Sequence, residues 1–200
     1  MIQIYKPTPR VTGTACSFSF NNIDGNFYLN LIKQASWNDQ KKIGSFSDNA
    51  QNPEKKVVVK LSKIEVCGIL DVIDNNRSID LFHNSENQKL GIKFSPYLRD
   101  EKQIGYSLNV IKTSKVQTTQ PATSFLIGFT FAEGRMVAEY IKFGLGHIFS
   151  TERSEEIKNL KNNKAKSIDE RKQKDKMQDS TQAPSPSEAS SSSEDHEDLW

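Results

Sequence analysis

One stretch constrains the fold of this chain more than any other. Residues 55–76 form a strand pattern that runs directly into the pattern of a capped helix. Ser62 and Glu65 have the spacing of a capping box, in which each side chain binds a backbone N–H that opens the helix. Asn75 and Asn76 then end it. The apolar residues that define the strand face and the helix stripe are Val57, Val59, Leu61, Ile64, Ile69, Leu70 and Ile73.

The same design returns 68 residues later, where Thr130 and Glu133 repeat the spacing of Ser62 and Glu65. An alternating strand precedes this second cap, and a long amphipathic pattern follows it. Two copies of strand, cap and helix predict a pseudo-duplicated domain. The apolar residues of the second copy are Phe125, Ile127, Phe129, Met136, Val137, Tyr140, Ile141 and Leu145.

Short alternating segments precede each copy, and an Asp-Gly pair at residues 24–25 marks a hairpin. Because the connections are short, the strands are expected to meander antiparallel. The sequence therefore predicts an α+β fold of order ββββα–ββββα, with two antiparallel four-stranded sheets and two helices. The predicted strands besides those at the caps cover residues 15–21, 27–37, 41–46, 78–83, 88–97 and 103–112.

The composition changes beyond residue 150. Residues 1–150 hold 18 Lys and Arg against 13 Asp and Glu, whereas residues 151–200 hold 9 against 12. The last twenty residues are rich in Ser and acids, a composition typical of disorder. The sequence predicts an extended arm over residues 1–14, a folded domain over 15–150, a charged linker over 151–180 and a disordered acidic tail over 181–200.

No pattern typical of an active site, a metal site or a cofactor site is present in the sequence. His83, His147 and His196 are far apart and lack carboxylate or cysteine partners at a useful spacing. Gly144 and Gly146 lie within a helix pattern rather than in a phosphate-binding loop. We therefore expect no enzymatic activity, no bound metal and no cofactor.

Cys16 and Cys67 both lie among apolar residues and are expected to be small buried side chains. Two isolated cysteines make no disulfide framework, which favours a reducing compartment. There is no signal-peptide pattern and no apolar run long enough to span a membrane. We expect a soluble, intracellular protein.

Lysines and aromatic residues recur on the predicted outward faces of the strands. Proteins that bind single strands use positive charge for the phosphates and aromatic faces on which bases stack. The alternative at each position is a solvated lysine or a core aromatic residue. Trp37, Phe46 and Tyr97 are predicted to stack bases. The candidate nucleic-acid-binding residues are Tyr28, Lys33, Trp37, Lys41, Lys42, Phe46, Lys56, Lys60, Lys89, Lys93, Tyr97 and Arg99.

The C-terminus gives an independent indication. An acidic tail tipped by an aromatic residue resembles the C-termini of bacterial and bacteriophage single-stranded DNA-binding proteins, in which the tail docks partners and competes with DNA. Negative charge mimics a polynucleotide, and an apolar tip fills a pocket on a partner. The alternative is a tail that only solubilises the protein. The candidate partner-binding residues are Glu194, Asp195, Glu197, Asp198, Leu199 and Trp200.

Residues 57–149 resemble the Whirly-type fold, which is shared with Pur-alpha-like and kinetoplastid guide-RNA-binding proteins. The matching segments are VVVKLSKIEVCGILDVI, RSIDLFHNS and GFTFAEGRMVAEYIKFGLGHIF, and the order of elements agrees across residues 15–150. The glycine of the Lys-Gly-Lys-type motif of Whirly proteins is missing from residues 55–61. The resemblance implies two roughly orthogonal sheets, assembly as a homodimer or homotetramer, and binding of single-stranded nucleic acid along exposed sheet surface without strong sequence preference.

These observations lead to one hypothesis and three alternatives. The hypothesis is a non-enzymatic single-stranded DNA-binding protein that coats strands in replication or recombination and recruits replication or recombination proteins through its tail. The tail favours a phage or viral protein, which would act in the host cytoplasm. The alternatives are an RNA-binding or RNA-annealing protein, a transcription regulator that binds single-stranded DNA, and a structural or interaction protein without a nucleic-acid role.

Overall fold

A computed structural model of the chain describes residues 1–116 and 121–179. Within them, strands and two helices follow the predicted order, with additional strands in the first half. The elements are β1 (Ile2–Lys6), β2 (Thr14–Asn21), β3 (Asn26–Lys33), β4 (Ser36–Asn38), β5 (Ile43–Ser45), β6 (Lys56–Leu61), α1 (Lys63–Asn75), β7 (Ile79–Asn84), β8 (Gln88–Arg99), β9 (Lys102–Ser114), β10 (Thr123–Phe129) and α2 (Phe131–Asp179).

The first sheet has the strand order β1-β2-β3-β6, with every neighbouring pair antiparallel. Its outer member is β1, so the predicted extended arm contains a strand that pairs with β2 from Ile2 to Lys6. Ile4 is buried in the core, and the two prolines of the arm come only after the strand has ended. The alternation of Ile2 and Ile4 with their neighbours is a strand pattern, and it could have identified β1 from the sequence.

The predicted strand over residues 41–46 does not belong to this sheet. Its central residues form β5, which pairs with β4 in a separate two-stranded hairpin. Trp37 lies in β4 rather than at the end of β3. The two-sheet architecture predicted from the sequence is confirmed, while β1 takes the place that was assigned to residues 41–46.

The second sheet has the order β10-β9-β8-β7 and is also antiparallel throughout. The paired strands β8 and β9 are the longest of the described strands, and a register shift lies between Tyr97 and Leu98 near their turn. Leu90, Ile92 and Phe94 are buried, as their alternation predicts. The inward faces of both sheets contribute side chains to one hydrophobic core together with α1 and α2.

Both predicted capping boxes are present. The Ser62 hydroxyl accepts from the Glu65 N–H, and the Glu65 carboxylate accepts from the Ser62 N–H at 2.7 Å. At the start of α2, the Glu133 carboxylate accepts from the Thr130 N–H at 2.8 Å, and the Glu133 N–H donates to the Thr130 hydroxyl at 3.2 Å. Asn76 ends α1 in the left-handed conformation.

Two predictions for α1 are wrong in detail. Val66, Ile69 and Val72 are buried in the core, and the predicted Leu70 and Ile73 pack against it, whereas Ile64 is 84% exposed. Cys67 is exposed, although Cys16 is buried as expected. Both errors have one cause, because an apolar neighbourhood in the sequence does not say which 100° arc of a helix meets the sheet.

Met1–Glu152 forms one compact unit, and the described residues from Arg153 to Asp179 belong to a second. The predicted charged linker is helical as far as Asp179. Residues 151–179 contain no Gly or Pro and many Lys, Arg and Glu, which are good helix formers. Among the residues that the structure describes, no helix is both long and apolar enough to cross a membrane. The predicted tail over residues 181–200 lies outside the described residues.

Candidate nucleic-acid interface

The outward-facing side chains of β1, β2, β3 and β6 form a surface that we call the first outer face. Tyr28 is the cross-strand partner of Lys60, and Ile32 is the partner of Lys56. Val58 lies between the two lysines and is exposed. The residues that alternate with these three in β6 lie on the opposite side of the sheet and are buried. The structure therefore brings Tyr28, Lys56 and Lys60 together, as predicted, on one solvent-facing surface.

Asp24, in the turn between β2 and β3, organises one end of this surface. The Tyr28 hydroxyl donates a hydrogen bond to the Asp24 carboxylate, and the Lys60 ammonium lies 3.8 Å from it. The hydrogen bond from Tyr28 is the main cause that holds the pKa of Asp24 below its usual range, and it raises the pKa of Tyr28. Asp24 therefore stays ionised at neutral pH and fixes the position of the Tyr28 ring.

The β4–β5 hairpin carries the next group of predicted residues. Lys41 and Lys42 are exposed, and Lys42 lies 3.7 Å from Asp39. The Trp37 indole is half-buried and donates to the Asp39 carboxylate at 3.1 Å. Trp37 thus has a structural partner at its polar edge, while part of its ring remains open to solvent.

Phe46 corrects the prediction of an open stacking platform. Its side chain is only 9% exposed and packs against Tyr5, with 5.8 Å between the ring centroids. Tyr5 is 53% exposed at the same place. The available aromatic surface therefore belongs to Tyr5, which lies in β1 and was not considered in the sequence because that segment was interpreted as an arm.

The hairpin and the first outer face enclose a cleft of about 630 Å³, which we call the hairpin groove. Its floor comes from β2 and β3, one wall from β1, and the other wall from β5 and the turn that follows. Segments distant in sequence form this groove, so no local motif indicates it. The side chains that matter below are those of Tyr5, Ala15, Ser17, Asn30, Ile32, Ile43 and Phe46.

Gln34 holds the hairpin against the sheet. The side chain is buried, and its oxygen accepts from the N–H groups of Thr8 at 2.8 Å and Gly13 at 3.2 Å. Its nitrogen donates to the carbonyls of Thr8 at 3.0 Å and Ser36 at 2.8 Å. Three of these bonds reach the connection between β1 and β2, and the fourth reaches Ser36 in β4, so this amide joins that connection to the start of the hairpin.

Lys33 does not lie with the other lysines of the first outer face. It has the alternation of the inward residues of β3, and its ammonium lies 5.6 Å from the centroid of the Phe125 ring. Partial burial, with a contribution from Lys55, lowers the pKa of Lys33. The structure therefore places Lys33 at the end of the core rather than on the predicted surface.

The remaining predicted residues lie on a second outer face, formed by the outward side chains of β7 to β10. Lys89, Lys93, Tyr97 and Arg99 are exposed there along β8. Lys93 lies 3.8 Å from Asp80 on the neighbouring strand. The same face also exposes three large apolar side chains, which the sequence analysis did not single out. They are Phe82, Ile111 and Leu126.

Two features of the described residues bear on catalysis. His83, for which the sequence offered no carboxylate partner at a useful spacing, does have one in the structure, because its Nε2 lies 2.5 Å from the Glu65 carboxylate of the α1 capping box. Among residues 1–116 and 121–179, no three His, Cys, Asp or Glu side chains are grouped so that they could hold a metal ion.

The candidate tail residues from Glu194 to Trp200 lie outside the described part of the chain.

No family model matches the sequence, and a search of curated proteins by sequence gives no match. Comparison of structures does give matches. WHY1 from Arabidopsis thaliana is 18% identical with a TM-score of 0.52, covering 80% of this chain and 90% of its own. The plant transcriptional regulator PBF-2 is 17% identical with a TM-score of 0.52, covering 76% and 84%.

A third match is a guide-RNA-binding protein complex bound to a guide RNA, at 14% identity and a TM-score of 0.50, covering 73% of this chain and 89% of that one. WHY1 and PBF-2 are Whirly proteins. The chain therefore has the Whirly-type α+β fold, as the resemblance of its sequence implied. At these identities the likeness establishes the fold, and function has to be argued from the surface.

Proposed function

We propose that this protein binds single-stranded nucleic acid along its first outer face, without enzymatic activity and without strong sequence preference. The observation that carries the proposal is the arrangement of Lys56 and Lys60 on either side of exposed Val58, with Tyr28 paired to Lys60 and the hairpin groove beside them. Lysines spaced along one strand neutralise phosphates, and the adjoining aromatic and apolar surface accepts bases.

The proposed ligand is single-stranded DNA, which the protein coats and protects during replication or recombination. RNA is the second candidate, because a guide-RNA-binding complex has the same fold. We further propose assembly as a homodimer or homotetramer. Glu194, Asp195, Glu197, Asp198, Leu199 and Trp200 would recruit replication or recombination proteins, a role supported by their sequence alone.

The second outer face is the competing surface on this molecule. Its Lys89, Lys93, Tyr97 and Arg99 supply charge and one aromatic ring, and its exposed Phe82 supplies another. We assign the strand to the first face because a shaped groove with aromatic walls lies there. A transcriptional role would use the same surface and differ only in the partners that the bound protein attracts.

The test is a fluorescence-anisotropy titration of the full chain with labelled oligo-dT at two salt concentrations. Competition with duplex DNA and with RNA of equal length follows. We expect tight binding that weakens with salt by a slope on the order of 0.7 per phosphate contact and that duplex does not displace. Absence of binding at low salt would remove the proposed function and leave an interaction protein. Equal competition by RNA would make RNA the ligand.

The surface is tested by a double variant, Lys56→Gln with Lys60→Gln. It should weaken oligo-dT binding and lower the salt slope by about 1.4, the sum for two contacts. Arg135→Gln with Lys142→Gln is the matched control, because it also removes two positive charges and both residues lie on α2, ion-paired with Glu139 at 3.7 and 3.6 Å. An equal loss in the control would mean that net charge rather than this face determines binding.

A further inference from the structure

The hairpin groove contains a polar group that the fold leaves unsatisfied. Asn30 lies on its floor, in the middle of β3, with its side chain on the outward side of the sheet. Its Oδ1 atom is buried and accepts no hydrogen bond from any described residue. Burying an acceptor without a partner costs free energy, because the atom loses its hydrogen bond to water. Such atoms are rare in folded proteins, so we expect a ligand to supply the missing hydrogen bond.

A second asparagine provides the comparison inside the same molecule. Asn109 lies on the outward side of β9, in the second sheet, and its Oδ1 accepts a hydrogen bond from the Ser124 hydroxyl at 2.8 Å. At Asn30 the cross-strand neighbours are Ser17 and Val58. Val58 cannot donate, and Ser17 makes no bond to the Oδ1 atom. The free acceptor is thus particular to the groove.

The walls of the groove indicate the class of ligand that would satisfy this amide. Tyr5 offers a half-exposed ring, with Phe46 behind it, and Ile43 is exposed on the opposite wall. No Lys or Arg is among the residues described as lining the groove, so it offers no counter-charge to a phosphate. An uncharged, planar ring with hydrogen-bonding groups at its edge matches an aromatic wall and a carboxamide.

The register of the first sheet connects the groove to the lysine edge. Tyr5, Ala15, Ile32 and Lys56 form one continuous cross-strand row. The groove occupies the Tyr5 end of this row, and Lys56 lies at the other end on the edge strand β6. A nucleotide lying along the row would place its base in the groove and its phosphate towards Lys56.

We propose that the hairpin groove is a base pocket, which takes one unstacked nucleobase of a bound single strand and hydrogen-bonds its edge to Asn30. The proposal rests on the proposed function and assigns one subsite within it. Because the Oδ1 atom is covered in the free protein, the carboxamide has to turn about its terminal torsion, which is broad and two-fold, to meet a base. The carboxamide carries both an acceptor and two donors. Asn30 therefore pairs with the edge of any of the four bases, and the pocket distinguishes a base from no base rather than one base from another.

The experiment compares two probes with the same number of phosphates, oligo-dT and an abasic oligodeoxynucleotide of equal length. Wild-type protein should bind oligo-dT more tightly than the abasic strand. Asn30→Val should weaken oligo-dT binding by about 3- to 10-fold, the range for one lost hydrogen bond, and leave abasic binding unchanged. Its melting temperature should be equal to or above that of wild type, because an unsatisfied buried acceptor has been removed.

Two further variants complete the design. Ser17→Leu places an apolar side chain into the groove from its floor and should reduce the preference for oligo-dT in the same way. Asn109→Val is the matched control on the second sheet and should leave binding to both probes unchanged. Its Ser124 partner is exposed, so the loss of that hydrogen bond is compensated by water.

The outcomes separate the two proposals. If wild type binds oligo-dT but Asn30→Val and Ser17→Leu keep the full preference over the abasic strand, the base pocket is refuted while strand binding stands. If the groove instead binds a segment of a protein, both variants should likewise keep the full preference for oligo-dT. If wild type binds neither probe at low salt, the proposed function itself fails. A lower melting temperature of Asn30→Val with unchanged binding would make Asn30 a structural residue and overturn the pocket.

Discussion

The two outer faces of this protein are built to the same plan and differ in what covers them. Each has a lysine 3.8 Å from an aspartate, Lys60 with Asp24 on the first face and Lys93 with Asp80 on the second. Each also has an asparagine on an inner strand of its sheet. The two asparagines lie on corresponding strands, β3 and β9, whereas the two ion pairs lie on strands that do not correspond, since Lys60 is in β6 and Lys93 is in β8.

The difference arises from one insertion. The first half contains the β4–β5 hairpin, which forms a groove with the first outer face. The second half has no such hairpin among its described residues, and Phe82 and Leu126 remain 66% and 61% exposed. A shared scaffold with one added loop thus yields a shaped surface on one side and an open apolar surface on the other.

The largest expected effect concerns the aromatic residues of the two faces. Tyr28→Ala on the first face should weaken oligo-dT binding by about 1–3 kcal/mol, the loss of one base-stacking contact. Phe82→Ala on the second face should leave it unchanged. Tyr28→Phe keeps the ring and should bind nearly as well as wild type. Anisotropy titrations of the three variants measure this, and the reverse order of Tyr28→Ala and Phe82→Ala would move the strand to the second face.

The two capping boxes should be equivalent in stability. Ser62→Ala and Thr130→Ala each remove one cap and should each cost about 0.5–2 kcal/mol of unfolding free energy. Urea unfolding followed by circular dichroism measures the difference, with Ser78→Ala, at an exposed position outside both helices, as a control. A loss confined to one variant would show that the two halves are not energetically duplicated.

Acid should destabilise both halves through the same kind of group. Burial raises the pKa of Glu65 and of Glu133, but hydrogen bonds from Ser62 and His83 to the first, and from Lys6 and Thr130 to the second, lower the pKa of both below the ordinary value of a glutamate. A lowered folded-state pKa means that the stability is present above this ordinary value. This stability is lost as the pH falls from the ordinary pKa of a glutamate through the folded-state pKa.

Thermal unfolding between neutral pH and pH about 3 tests this, since unperturbed glutamates titrate near 4.3. Glu65→Gln and Glu133→Gln keep the capping geometry, because Gln also serves in a capping box, and remove the titrating group. In each variant, the melting temperature should fall less than in wild type as the pH is lowered. An unchanged pH profile in both variants would place the acid sensitivity elsewhere.

The smallest effect is expected for a single charge. Lys60→Gln should lower the salt slope of oligo-dT binding by about 0.7, one phosphate contact. Lys93→Gln is matched to it, because both lysines lie 3.8 Å from an aspartate on an outer face. It should leave the slope unchanged. Equal reductions in both variants would show that the strand contacts both faces.

Local patterns in the sequence predicted much of this fold. The capping boxes at Ser62 and Thr130 were identified from spacing alone, because a cap depends on residues within one helical turn. The inward alternation of Leu29 and Phe94 was likewise readable, since a strand shows its buried face every second residue. Ile64 and Cys67 were misplaced because the direction in which a helix packs is set by its partner sheet.

The candidate site was predicted only in part. Tyr28, Lys56 and Lys60 could be found because each alternates outward from a strand whose inward face is plainly apolar. Phe46 and Lys33 were assigned to the surface from their residue type. Their burial depends on contacts with Tyr5 and Phe125, which are far from them in the sequence.

The sequence by itself determined the duplicated scaffold and the charged edge of β6, because hydrophobic period, capping and cross-strand alternation are local properties of the chain. Only the tertiary structure decided that β1 joins the first sheet, that the β4–β5 hairpin folds over it and that Asn30 lies beneath without a partner. These features arise where distant segments meet. The free energy of such contacts depends on which groups approach each other in space, and no local pattern records that.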